Sequence, residues 1–110
     1  MTLKEQDVFG AVADPTRRQL LETLSIEGDK TATELAKRFP ITRQGVAKHL
    51  RILEDAGLVS TQHEGRETIY TFHPEPLAET VSWVESINAA WDERLQALRD
   101  YLLAESDNEA

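Results

Sequence analysis

Apolar side chains recur along this chain first at helical and then at strand spacing. Val8, Phe9 and Val12 share one face between Glu5 and Ala13 and predict a first helix. Asp14-Pro15 ends it and opens a second. The aspartate suits the N-cap, and proline suits the first helical position, where no backbone N–H is needed. Leu20, Leu21 and Leu24 supply that helix's buried stripe, and Gly28-Asp29 marks a loop. Thr31 followed by Glu34 has the spacing of a capping box, so a short helix should run through Leu35, Ala36 and Phe39 until Pro40 stops it. Thr42 then caps another helix, with Val46, Leu50 and Leu53 on one side and Gly57 as the left-handed stop after Ala56.

The period changes after Gly57. Leu58–His63 and Glu67–Phe72 read as strands around the loop Glu64-Gly65-Arg66, with Thr68, Tyr70 and Phe72 alternating onto one side. Pro74 and Pro76 break the second strand and open a last helix over about residues 76–103. The predicted fold is mostly α with a small β-hairpin: four helices, two strands and a final helix. Two short helices joined by a tight turn and followed by a hairpin make a winged helix-turn-helix. One domain is expected over residues 1–104, with 105–110 a disordered polar tail.

Composition narrows the classes. The 110 residues, 40% of them hydrophobic, suit one globular domain. No apolar run approaches the roughly 20 residues that cross a bilayer. The opening Met1-Thr2-Leu3-Lys4-Glu5 lacks an apolar signal segment, so a cytoplasmic protein without membrane contact is expected. The absence of cysteine excludes disulfides and thiolate metal sites. The net charge of −8 looks adverse to nucleic-acid binding, but it is uneven: residues 1–40 carry −1, residues 41–73 carry 0 and residues 74–110 carry −7. Screening over about 8 Å lets one face take phosphate while a distant face stays acidic.

Stepping 100° per residue around the helix from Thr42 puts Gln44, Lys48 and Arg51 opposite Val46, Leu50 and Leu53, with Ala47 and Arg43 flanking. Its bases precede its acids, Glu54 and Asp55. This polarity suits a recognition helix, which enters the major groove with its N-terminal residues. Arg43 can pair with guanine, Gln44 with adenine, and Ala47 can meet a thymine methyl. Lys48 and Arg51 are better suited to phosphate, and Thr42 at the helix N-terminus can hold another. His49 is either a phosphate contact or a partly buried structural histidine. Arg66, at the hairpin tip, is either a minor-groove or phosphate contact or an ordinary turn arginine. Arg17 and Arg18, early in the second helix, are best explained by ion pairs with nearby acids, with a DNA-backbone contact by one of them the alternative. The bland alternative for the whole helix is a solvated basic face, and for the whole chain a winged helix that binds protein.

Leu77, Val81, Val84, Asn88, Trp91, Leu95, Leu98 and Leu102 alternate by four and three residues, the stripe of a packed helix pair. Trp83, Ile87, Ala90 and Tyr101 widen it beyond what one small core needs. A second copy under twofold symmetry is the simplest partner, with Asn88 setting register; packing within the chain is the alternative.

Several segments together resemble the ArsR-type winged-helix repressors. They are Ala13-Asp14-Pro15-Thr16-Arg17-Arg18, Thr33-Glu34-Leu35-Ala36, Arg43-Gln44-Gly45-Val46-Ala47-Lys48-His49-Leu50, Leu53-Glu54-Asp55-Ala56-Gly57-Leu58-Val59, and Gly65-Arg66 to Tyr70. The resemblance covers nearly the whole chain. It implies a homodimer joined through the first and last helices, which adds Val8 to the seam, and repression at an inverted-repeat operator in double-stranded DNA. Some relatives sense metals through cysteines near the position of Glu34-Leu35, or through histidines and carboxylates on the last helix. This chain has Ala36, Lys37 and Arg38 after the first position, and Glu85, Asp92 and Glu93 without a histidine at the second. No metal or other cofactor is therefore expected, and the non-metal branch fits better, with an unknown effector ligand still open. No nucleophile–base–acid set or glycine-rich phosphate loop suggests an enzyme.

Overall fold

The computed structural model describes residues 3–109, with side chains described for residues 7–104. The order is α1 (Leu3–Val12), α2 (Pro15–Glu27), β1 (Lys30–Thr31), α3 (Ala32–Ala36), α4 (Arg43–Asp55), β2 (Val59–Glu64), β3 (Glu67–Phe72) and α5 (Glu75–Glu109). The chain divides into two units, residues 1–79 and 80–110.

The helix starts follow their capping chemistry. The Asp14 carboxylate accepts from the Arg17 backbone N–H at 3.0 Å, with Pro15 opening α2. Thr31 and Glu34 exchange both bonds of a capping box, each at 3.1 Å. Thr42 Oγ1 accepts from the Gly45 N–H at 3.0 Å. At the far end of α4 the Leu58 N–H reaches the Leu53 carbonyl and the Gly57 N–H reaches that of Glu54, both at 2.9 Å. This is a Schellman close, and it needs the positive φ of 77° that Gly57 adopts.

The two capping carboxylates are held below their ordinary values of 3.8 for Asp14 and 4.5 for Glu34, chiefly by the backbone N–H groups of Arg17 and Thr31 respectively. A depressed folded-state value means stabilisation that is complete above the unfolded value and lost as pH falls through the folded one. The melting temperature should therefore drop on acidification below about pH 4.5. Asp14→Asn, which keeps an acceptor but cannot titrate there, should flatten that drop in a pH series of thermal melts.

Leu20, Leu35, Leu50, Leu53, Leu58, Val8 and Val46 are fully buried in the first unit. Val12, Phe39, Tyr70, Phe72 and Leu77 pack around them half-buried. Two side chains expected at a dimer seam are therefore used within the chain. Val8, 1% exposed, belongs to this core, and Leu77 packs against it. The amphipathic pattern identified the apolar faces correctly but not what covers them.

The strands form an antiparallel sheet in the order β1-β3-β2. The hairpin agrees with its expected place, with β2 starting one residue later. β1 is an addition to the expected order: Lys30 pairs with Tyr70 and Thr31 with Ile69, so β3 is central. In the connecting turn Gly65 has φ 62° while Arg66 is not positive, the sign pattern of a type II′ turn.

Two helix ends differ from expectation. α3 stops at Ala36, because the Arg38 N–H turns back to the Leu35 carbonyl and Phe39 packs at the core edge. α5 runs to Glu109 and takes up most of the expected tail, since no glycine or proline follows Pro76; Ala110 lies outside the described residues. No helix among the described residues is long and apolar enough to cross a membrane.

Arg17 and Arg18 have carbonyl partners in place of the expected acids. Arg17 Nε donates to the Ala11 carbonyl at 2.7 Å and Nη2 to that of Gly10 at 3.1 Å. Arg18 Nη1 donates to the carbonyls of Val12 at 2.7 Å and Ala13 at 3.3 Å. Both guanidinium groups thus sit at the C-terminal end of α1, where unpaired carbonyls and the helix dipole favour cations.

Candidate nucleic-acid interface

The candidate interface is built on α4. Val46, Leu50 and Leu53, all 0% exposed, seat one side of this helix in the core. The opposite side carries Gln44, Lys48 and Arg51, all exposed, with Ala47 half-buried beside them. These four residues line one shallow recess of about 240 Å³. No ion pair engages Lys48 or Arg51 among the described residues, so their charges face outward. The Glu54 carboxylate, at the other end of the helix, accepts from Thr61 Oγ1 at 3.1 Å and ties α4 to β2.

Two expected contact residues lie apart from that recess. His49 is half-buried, and its Nδ1 stands 3.3 Å from Arg17 Nη1. Of the two readings open for this residue, the structure favours the structural one: His49 links α4 to the residues that close α1. Arg43 lies about 100° around the helix from Gln44. It faces the hairpin and lines a second recess of about 290 Å³ with Thr31, Ala32, Thr33, Ala47, Arg66, Glu67, Thr68 and Tyr70. The sheet therefore brings Arg66 and Arg43 to one recess, a pairing that helix periodicity alone does not show.

Thr33, Thr68 and Tyr70 belong to this surface and were missed as site residues. For Thr68 and Tyr70 the signal was their alternation with Phe72, which sets both on one face of β3; Thr33, in α3, carries no such signal. Burial raises the Tyr70 phenol above its ordinary value of 10.0; Glu54 adds to the rise, while Arg51 and Arg43 oppose it. The hydroxyl is thus a proton donor at neutral pH.

The remaining histidines have hydroxyl neighbours: Ser60 Oγ lies 2.6 Å from His73 Nε2 and Thr68 Oγ1 lies 3.2 Å from His63 Nδ1. Among the described residues no three His, Cys, Asp or Glu side chains gather into a set that could hold a metal ion.

On the second unit, α5 exposes a row of large apolar side chains. Val81 is 52% exposed, Trp91 58%, Leu95 43% and Leu98 54%, and Val84, Ile87, Tyr101, Leu102 and Leu103 are exposed with them. Asn88 is exposed in the same stretch.

A family profile described as a helix-turn-helix domain matches residues 12–62. The chain is 41% identical to the HTH-type transcriptional regulator YuzN of Bacillus subtilis, over 71% of this chain and 92% of that protein. It is 35% identical to the transcriptional repressor SdpR of the same organism, over 71% of this chain and 86% of SdpR. Among solved structures, an ArsR-like transcriptional regulator from Rhodococcus sp. RHA1 superimposes with a TM-score of 0.78 at 39% identity, over 88% of this chain and 91% of that one.

Proposed function

This chain belongs to the ArsR-type winged helix-turn-helix transcriptional regulators and is a DNA-binding transcriptional repressor, and from that premise we propose that α4 is its recognition helix and that it acts as a homodimer. The single observation that carries the first part is the division of α4 into a core-seated side and an outward side bearing Gln44, Lys48 and Arg51 without acidic partners. Gln44 and Ala47, in the N-terminal half, read base edges; Lys48 and Arg51 hold phosphates and set the register. Residues 74–110, with a net charge of −7, disfavour loose association with DNA, so affinity depends on the fit of this one surface.

The homodimer rests on the apolar row of α5. A monomer would leave Trp91, Leu95 and Leu98 in water along a helix whose stripe has the period of a packed pair. A twofold dimer presents two copies of α4 to an inverted-repeat operator.

The test uses fluorescence anisotropy with the DNA immediately upstream of the reading frame. Lys48→Ala should weaken binding to all sequence variants alike and lower the salt slope by about 1. Gln44→Ala should relax preference at one base pair per half-site, a loss of about 1–3 kcal/mol of discrimination there. Unchanged binding in both variants would remove α4 from the interface.

A further inference from the structure

We infer that the recess between α4 and the hairpin is a clamp for one backbone phosphate of the DNA, closed by Arg43 from the helix and Arg66 from the turn. The inference rests on the DNA-binding reading above and assigns Arg43 a phosphate in place of the guanine that its residue type suggests.

Three observations carry it. First, Arg43 and Arg66 line the same recess, although one arises in the first turn of α4 and the other at the tip of the β2–β3 turn. Second, Glu67 lines the recess as well, yet neither arginine forms an ion pair with it or with any other acid among the described residues. Two cations beside an available carboxylate, with no internal pair, suit an external anion that can accept from both. A phosphate offers the oxygens for this, and arginine's planar fork matches it. Third, the other polar groups in the recess include hydroxyl donors, those of Thr33, Thr68 and Tyr70, which suit phosphate oxygens. The Glu67 carboxylate leaves the recess with one net positive charge, which limits it to a single phosphate.

Arg43 is thereby separated from the Gln44–Lys48–Arg51 recess. The helix would then hold phosphates on two sides, through Lys48 and Arg51 beside Gln44 and through Arg43 toward the hairpin. A phosphate gripped between helix and hairpin fixes the depth and tilt of α4 in the groove. The clamp should act on any duplex, because it reads no base.

The test measures affinity for a random-sequence duplex of about three helical turns as a function of potassium chloride. Wild type, Arg43→Ala, Arg66→Ala, the double variant and Lys48→Ala are compared, with circular dichroism confirming that each folds. If one phosphate is shared, each single arginine variant weakens binding about 10- to 150-fold, as expected when a charge-assisted hydrogen bond is lost. The double variant should then be little weaker than either single, with a salt slope lowered by about 0.9 per protomer. A double variant whose losses multiply and whose slope falls by about 1.8 per protomer means two separate phosphates and overturns the clamp. So does an unchanged slope in Arg43→Ala together with altered preference at one base pair, the signature of base reading. A wild type that binds no duplex overturns the DNA-binding reading and the clamp with it, whereas weakening by Lys48→Ala without any effect of the arginine variants overturns the clamp only. Calorimetric titration with inorganic phosphate separates the sources of the anion. No saturable heat is expected, and stoichiometric uptake would reassign the recess to free phosphate.

Discussion

Trp91→Glu combined with Leu95→Glu is expected to convert a dimer into a folded monomer and to lower operator affinity about 10²- to 10⁴-fold. Both side chains are about half exposed within the single chain, so the substitutions remove little intrachain packing. Burying a large apolar side chain contributes about 1.5–3 kcal/mol, and placing a carboxylate in the seam adds a desolvation cost to that loss. The affinity loss follows from linkage. Two tethered recognition helices find the second half-site at an effective concentration in the millimolar range, an advantage a monomer lacks. Sedimentation equilibrium on wild type and variant, with melts to confirm folding, checks the first claim, and anisotropy on operator DNA checks the second. A wild type that sediments as a monomer at micromolar concentration would refute the dimer.

Leu50→Ala should strongly destabilise the domain through α4. Leu50 is 0% exposed and sits between Val46 and Leu53, the two other side chains that seat α4. Truncating a buried leucine costs about 2–5 kcal/mol, a large share of the roughly 5–15 kcal/mol that holds a domain folded. In a domain of this size each kcal/mol lowers the melting temperature by roughly 4–8 °C. Ile52 is on the same helix but 36% exposed, so Ile52→Ala should cost far less and serves as the control. Chemical denaturation of both variants gives the comparison directly. Near-equal losses would mean that α4 is seated differently.

Local chemistry was the most legible part of this protein. Asp14, the Thr31/Glu34 pair, Thr42 and Gly57 each act within a few residues of their own position, so their roles were readable from spacing alone. What needed tertiary contact was not. Lys30-Thr31 has no strand pattern of its own and becomes β1 only because Tyr70 and Ile69 lie beside it. Arg17 and Arg18 looked like partners for acids because charges are visible in a sequence, whereas the carbonyls left open at the end of α1 are not. Val8 was assigned to a seam because the family resemblance implies a first-helix contact between copies, and the helical spacing of its apolar face does not say whether the same chain or another covers it. In the candidate site, Gln44, Lys48 and Arg51 follow from helix geometry. The company that Arg43 keeps depends on where the hairpin lies.

The side chains that seat α4 and those that face outward from it are different residues. Val46, Leu50 and Leu53 serve the fold, while Gln44, Lys48 and Arg51 are exposed and Ala47 is half-buried outside the core cluster. Exposed substitutions typically move stability by no more than about 0.5 kcal/mol. Positions 44, 48 and 51 can therefore vary almost freely with respect to folding. A duplicated copy of this gene can drift to a new operator through single steps, each of which yields a stable protein. On the proposed reading of α4, the same independence makes this helix a replaceable reading head for engineered switches.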